Sequence, residues 1–171
     1  MNSDLSGPPP CRILSSLPGD VDRGFHDLSR DMDPSLVHVF LDKLQRYAAK
    51  PDRALFFAES AGKIIGFATI IDRAEAPEGM GEDVAHLLQN YGCGTGLMVL
   101  PEFRRRGVAR ILVQHWQQWA QASGRQGVWI VTREMADWYQ RCFHYSVLGT
   151  TVRHGVKKTV LARSISQFSS S

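Results

Sequence analysis

The sequence predicts a single α/β domain, and three observations predict it. Amphipathic stretches of helical period alternate along the chain with short apolar runs rich in β-branched residues, the pattern of strands covered by helices. Between residues 96 and 123 an apolar run passes through an arginine-rich turn into the clearest helix of the chain. The chain of 171 residues, 43% hydrophobic and 22% charged, is long enough to bury one full core beneath an ordinary surface.

Residues 12–15 read as a short first strand. Asp20 can cap a helix over residues 20–30, with Val21, Phe25 and Leu28 near helical spacing. Asp33-Pro34-Ser35 is a firmer start, a capping side chain followed by proline in the first turn, and the helix it opens carries Leu36, Phe40, Leu44 and Tyr47 to Lys50-Pro51. Residues 54–59 and 63–71 form two strands joined in a hairpin at Ser60-Ala61-Gly62. An acidic connection over residues 72–92 holds a short helix at 82–88, and residues 96–100 make the next strand. The helix over 107–123 shows Val108, Ile111, Leu112, His115, Trp116 and Trp119 as a broad stripe, and Gly124 ends it. Residues 127–131 are a buried strand. Thr132 caps a helix bearing Met135, Trp138, Tyr139 and Cys142, and residues 146–152 and 159–162 close the sheet.

Residues 1–10 are polar and end in three prolines, with neither the basic start nor the apolar core of a secretory signal, and are expected to form a disordered extension. Residues 166–171 are a serine-rich, flexible tail, leaving 11–165 as the domain. No apolar run reaches the roughly 20 residues that span a bilayer. Cys11, Cys93 and Cys142 are odd in number and widely spaced, which argues against a disulfide framework or metal site and for a cytoplasmic protein. The net charge of +3 is uneven: residues 1–100 carry 9 Lys/Arg and 14 Asp/Glu, a balance of −5, and residues 101–171 carry 11 and 3, a balance of +8. The basic half suits an anionic ligand and the acidic half a cationic one.

Two glycine-bearing runs invite a ligand. Gly92-Cys93-Gly94-Thr95-Gly96 precedes a strand, where a dinucleotide fingerprint must follow one, so it is expected to be a flexible loop or bulge. Arg104-Arg105-Arg106-Gly107-Val108-Ala109 has the right context. A helix start offers unpaired N–H groups and the positive end of the macrodipole, glycine allows close backbone approach, and arginines add forked donors. A phosphorylated ligand is expected there.

With its lead-in Leu97-Met98-Val99-Leu100-Pro101-Glu102-Phe103, this run resembles the acyl-CoA signature of the GNAT-type N-acetyltransferases, R/Q-x-x-G-x-G/A, with Arg104, Gly107 and Ala109 at the defining positions. The order of elements over residues 11–165 is similar too. The resemblance implies a GNAT-like fold, a mixed central sheet of about six or seven strands flanked by helices, and acetyl-CoA as cosubstrate. It implies that Arg104, Arg105, Arg106, Gly107, Val108 and Ala109 hold the pyrophosphate, that Met98 and Val99 face the pantetheine arm and acetyl carbonyl, and that Thr132, in place of the family's asparagine, also contacts the arm. Tyr139 matches the tyrosine that protonates the departing thiolate. The family's usual glycine after this helix is replaced by Cys142-Phe143-His144-Tyr145. The acceptor implied is a small cationic amine or a peptide amine, with no metal, nucleic acid or membrane partner; a homodimer is one open oligomeric state.

The general base stays open. Residues 94–100 hold no carboxylate; Glu82, Asp83, His86 and His154 are candidates, each also readable as a solvated surface residue, and His115 lies on an apolar stripe. The altered helix exit and the missing carboxylate leave room for a non-catalytic acyl-CoA sensor. A nucleic-acid module would interleave aromatics with its arginines, and this chain does not.

Overall fold

The computed structural model describes residues 11–15, 18–48 and 50–166. Its strands are β1 (Arg12–Ser15), β2 (Arg53–Ser60), β3 (Lys63–Ile71), β4 (Tyr91–Val99), β5 (Gly127–Thr132), β6 (Ser146–Arg153) and β7 (Val156–Ser164). They form one mixed sheet in the order β1-β2-β3-β4-β5-β7-β6. β4 and β5 run parallel, while β1–β2, β5–β7 and β6–β7 pair antiparallel. The helices are α1 (Pro18–Ser29), α2 (Pro34–Tyr47), α3 (Glu82–Leu88), α4 (Val108–Ala122) and α5 (Ala136–Phe143). This is the α/β class and mixed sheet expected. The expected N-terminal extension, and residues 167–171 of the expected tail, lie outside the described residues.

Contacts group the described residues into two compact units, those within 11–69 and 96–115, and those within 70–95 and 116–166. In the first, Asp33 caps α2 by accepting from the Ser35 N–H at 2.9 Å, with Pro34 in the first turn. α2 then turns Phe40 and Leu44 onto Leu55, Phe57 and Ile64 of the sheet. The Phe40 ring lies 6.2 Å from Phe25 and 5.3 Å from Phe67. Each such side chain buried stabilises by about 1.5–3 kcal/mol. Glu59 on β2 is buried and accepts from both Arg12 (2.9 Å) and Arg23, tying β1 and α1 to the strand. A hydrogen bond from Arg23 holds its carboxyl below the usual range.

In the second unit, Leu88, Tyr91, Cys93, Trp129, Val160 and Ala162 form the core. Arg125, after α4, grips Asp72 with two donors, the Nη2 at 3.0 Å from Oδ2.

The structure corrects several boundaries. The glycine run at 92–96 is no loop: it lies inside β4, and its first half pairs in register with β5. Pro101–Phe103 forms a 3-10 turn where the sequence shows only a connection. α5 begins at Ala136, and Thr132 sits before it, accepting from the Met135 N–H at 3.1 Å. β7 starts at Val156, three residues before the expected position.

Candidate active site

The turn between β4 and α4 is shaped by a chain of short constraints. Leu100 donates to the Ile65 carbonyl at 2.8 Å, which fixes the end of β4, and Phe103 and Arg104 close the 3-10 turn onto Leu100 and Pro101 at 2.9 and 3.2 Å. Two residues then take left-handed backbone, Arg105 at φ 60° and Gly107 at φ 78°. Glycine adopts that region freely, whereas arginine does so at a cost that its surroundings must impose. Alternating left-handed residues beside a helix start aim successive N–H groups into a concave anion site. Val108, 1% exposed, anchors the first turn of α4, and the first bond across it runs from Ile111 to the Gly107 carbonyl at 3.2 Å. The N–H groups of a helix's first turn have no acceptor within the helix. Residues 104–107 are exposed, so the turn is open to a ligand. Arg104 also folds back, its Nε donating to the Val99 carbonyl at 2.9 Å and bracing the turn against the strand.

β4 itself changes character midway. Its pairing with β5 runs from Tyr91↔Gly127 to Gly94↔Ile130 and stops there, although β4 continues to Val99. Residues 91–93 are buried, and residues 94–98 of this interior strand are half-buried. The strand also changes face. On β3, Phe67 meets Phe40 of α2, whereas a Cβ on Gly66 would meet Leu112 of α4 at 3.4 Å, so these helices cover opposite faces of β3. On β4, a Cβ at Gly94 would meet Trp116 of α4 at 3.1 Å, but one at Gly96 would meet Lys43 Nζ of α2 and Thr69 Oγ1, both at 2.6 Å. Residues two apart in a regular strand share a face, so an irregular residue lies between Gly94 and Gly96, the mark of a β-bulge. Met98 and Val99 follow it; Met98 packs against the core of the first unit and Val99 is 7% exposed, so what they present to a ligand is main chain.

In the second unit, Tyr139 on α5 is 6% exposed among Trp138, Phe143 and Tyr145, at ring distances of 4.9, 6.1 and 5.5 Å. Burial pushes its phenol above the ordinary value, which makes it a weaker acid than a free phenol. The helix after it exits without the family's glycine: His144 takes the left-handed position at φ 56°, donating to the Gln140 carbonyl at 3.1 Å, while Tyr145 donates to Tyr139 at 3.3 Å. The exit closes as a left-handed cap formed by histidine.

The candidate bases lie on the surface of the second unit. Glu82 and Asp83 are exposed in the first turn of α3, where carboxylates complement the helix dipole, and His86 is exposed on the same helix. His154 is an exposed residue in the β6–β7 turn. His115 lies against Phe56 at 5.6 Å, its Nδ1 3.0 Å from the Ile111 carbonyl, a packed residue as its apolar stripe implied. Among the described residues no group of three His, Cys, Asp or Glu could hold a metal ion, and no helix is long and apolar enough to cross a membrane. Sequence reading gave no place to Lys43 and Thr69, which lie beside Gly96 of the glycine run.

Comparison with known proteins agrees with this geometry. The model of the acetyltransferase (GNAT) family matches residues 22–145. Among solved structures, aminoglycoside 6'-acetyltransferase type Ii is 13% identical over 90% of this chain and 97% of its own, with a TM-score of 0.70. The ribosomal-protein-S18-alanine N-acetyltransferase from Escherichia coli is 16% identical over 91% and 94%, with a TM-score of 0.63. Arabidopsis thaliana NAA60, solved in complex with acetyl-CoA, is 15% identical over 91% and 99%, with a TM-score of 0.61. At such identities these structures speak for the fold. A search of curated protein sequences returns no match. The family match spans most of the chain, including the turn and Tyr139, and the chain belongs to the GNAT family of acetyltransferases.

Proposed function

We propose that this protein moves the acetyl group of acetyl-CoA to a primary amine by direct attack within a ternary complex. The observation that carries the reading is the turn at 104–109. Two left-handed residues and an open helix start stand among arginines, directly after a strand that has left its ladder. That arrangement fits a pyrophosphate followed by an extended arm bearing amide groups. In this reading Arg104, Arg105, Arg106, Gly107, Val108 and Ala109 hold the pyrophosphate. The main chain at Met98 and Val99 pairs with the pantetheine arm and polarises the acetyl carbonyl, and Thr132 contributes a hydroxyl to the arm.

The amine nitrogen, entering uncharged, forms a bond to the acetyl carbon as the carbon–sulfur bond breaks; Tyr139 gives its proton to the departing thiolate, and the proton shed by the nitrogen passes to solvent, from which Tyr139 is reprotonated. The acceptor is a small cationic amine or a peptide amine. The similar folds serve different acceptors, one an aminoglycoside and another an alanine of a ribosomal protein, so fold does not select between them. Residues 11–165 make up the transferase domain. The odd number and wide spacing of Cys11, Cys93 and Cys142 favour a cytoplasmic protein.

A non-catalytic acyl-CoA sensor is the second reading, favoured by a β4 segment without a carboxylate. A panel of primary amines, with release of coenzyme A thiol followed, separates the two. Acetyl-CoA binding with amine-dependent thiol release supports the transferase. Binding with no release across the panel supports the sensor.

A further inference from the structure

We propose that Lys43, with Thr69, forms the subsite that selects the acceptor, and that it recognises a carboxylate on the amine to be acetylated. The proposal rests on the transferase reading above. In that reading the coenzyme runs from the turn at 104–109 back along β4, past Val99 and Met98, so its acyl end points toward Gly96. Two residues of strand place Gly96 about 7 Å beyond Met98. At that point the structure sets a lysine side chain from α2 and a fully buried threonine hydroxyl from β3 over a glycine that leaves room for both, each polar atom 2.6 Å from where a Cβ would stand.

The three positions are interdependent. Any side chain at residue 96 would displace the Lys43 Nζ and the Thr69 Oγ1 together. Lys43 is half-buried, so its charge is carried into the protein, where its Nζ also lies 5.9 Å from the centre of the Tyr47 ring. An ammonium has three donors, enough for contacts inside the protein and one to a ligand anion, while the fully buried Thr69 lines the floor beneath it. A cation at the acceptor end favours an amine that also bears a carboxylate, and it opposes a polyamine whose second charge would face it. The acceptor is then an amino acid or a peptide-like zwitterion, which narrows the class of amines given above.

The test uses matched pairs: α- and ω-amino acids against amines lacking only the carboxylate. Thiol release is measured for the wild type, Lys43→Gln, Lys43→Glu and Lys43→Arg, and acetyl-CoA affinity by calorimetry reports that each variant is folded. The wild type prefers the carboxylate member of a pair. Lys43→Gln loses that preference through a KM raised about 10- to 100-fold, the range of a lost charged hydrogen bond, with kcat and acetyl-CoA affinity little changed. Lys43→Glu reverses the preference, and Lys43→Arg restores part of it. A wild type that prefers the amines without carboxylate, or a Lys43→Glu variant with the wild-type preference and intact acetyl-CoA binding, overturns the subsite. A wild type that binds acetyl-CoA but releases no thiol with any amine defeats the transferase reading itself, and the subsite with it.

Discussion

Replacing Gly107 with alanine separates the two duties of the turn. Gly107 has φ 78°, a region that costs a residue with a Cβ about 1–2 kcal/mol. Alanine recovers about 0.4–1 kcal/mol by restricting the unfolded chain, so Gly107→Ala should lose roughly 0.5–1 kcal/mol of stability. At 2–4 °C per kcal/mol for a domain of this size, that is a fall in Tm of about 1–4 °C. Ligand binding should suffer far more. Relief of the strain turns the peptide between residues 107 and 108, and the N–H of Val108 no longer points into the turn. One hydrogen bond to a charged phosphate oxygen is worth about 1.5–3 kcal/mol, which converts to an acetyl-CoA Kd raised roughly 10- to 150-fold. Urea unfolding supplies the first number and calorimetric titration with acetyl-CoA the second. A variant that loses stability as expected but binds acetyl-CoA like the wild type would refute the claim that this backbone cradles the pyrophosphate.

Three other outcomes follow from the same structure. Tyr139→Phe should lower kcat about 100-fold or more, the scale of a positioned general acid, while the acetyl-CoA Kd stays within a factor of a few; an unchanged kcat removes Tyr139 from the proton transfer. Gly127→Ala should destabilise by about 1–3 kcal/mol in urea, because its Cβ would stand 2.4 Å from both the Arg163 carbonyl oxygen and Tyr91 Cε2, and a backbone oxygen cannot swing aside; a wild-type midpoint would contradict that packing. The carboxyls of Glu59 and Asp33 are depressed, the first by Arg23 and the second by the Ser35 N–H. Their stabilisation is full above the unfolded carboxyl values near 4 and fades as pH falls through the lower folded values. Unfolding midpoints should therefore drop below about pH 4, and more shallowly in Glu59→Gln.

Most of the fold is legible in the sequence because local signals agree with tertiary ones. Asp33-Pro34 marks the start of α2 by a cap the structure shows, and the stripe through Val108, Leu112 and Trp116 is the buried face of α4. The glycine run of β4 is misread because glycine has no side chain with which to display strand alternation. Its strand character comes from pairing with β5, residues far away in sequence. The exit from α5 is hidden for the opposite reason: the left-handed position is expected to show glycine, and His144 fills it. At the site, the arginine turn is legible because its parts are contiguous. Lys43 is not. On α2 it reads as one more solvated charge, and only the bulge that turns Gly96 toward α2 gives it a place beside β4.

The most direct test of acetyl transfer in a ternary complex is an initial-velocity series in which acetyl-CoA and an active amine are both varied. The account predicts intersecting reciprocal plots, with no acetyl group on the protein after quenching. Parallel plots, together with an acetylated protein that passes its acetyl group to the amine once acetyl-CoA is removed, would contradict it.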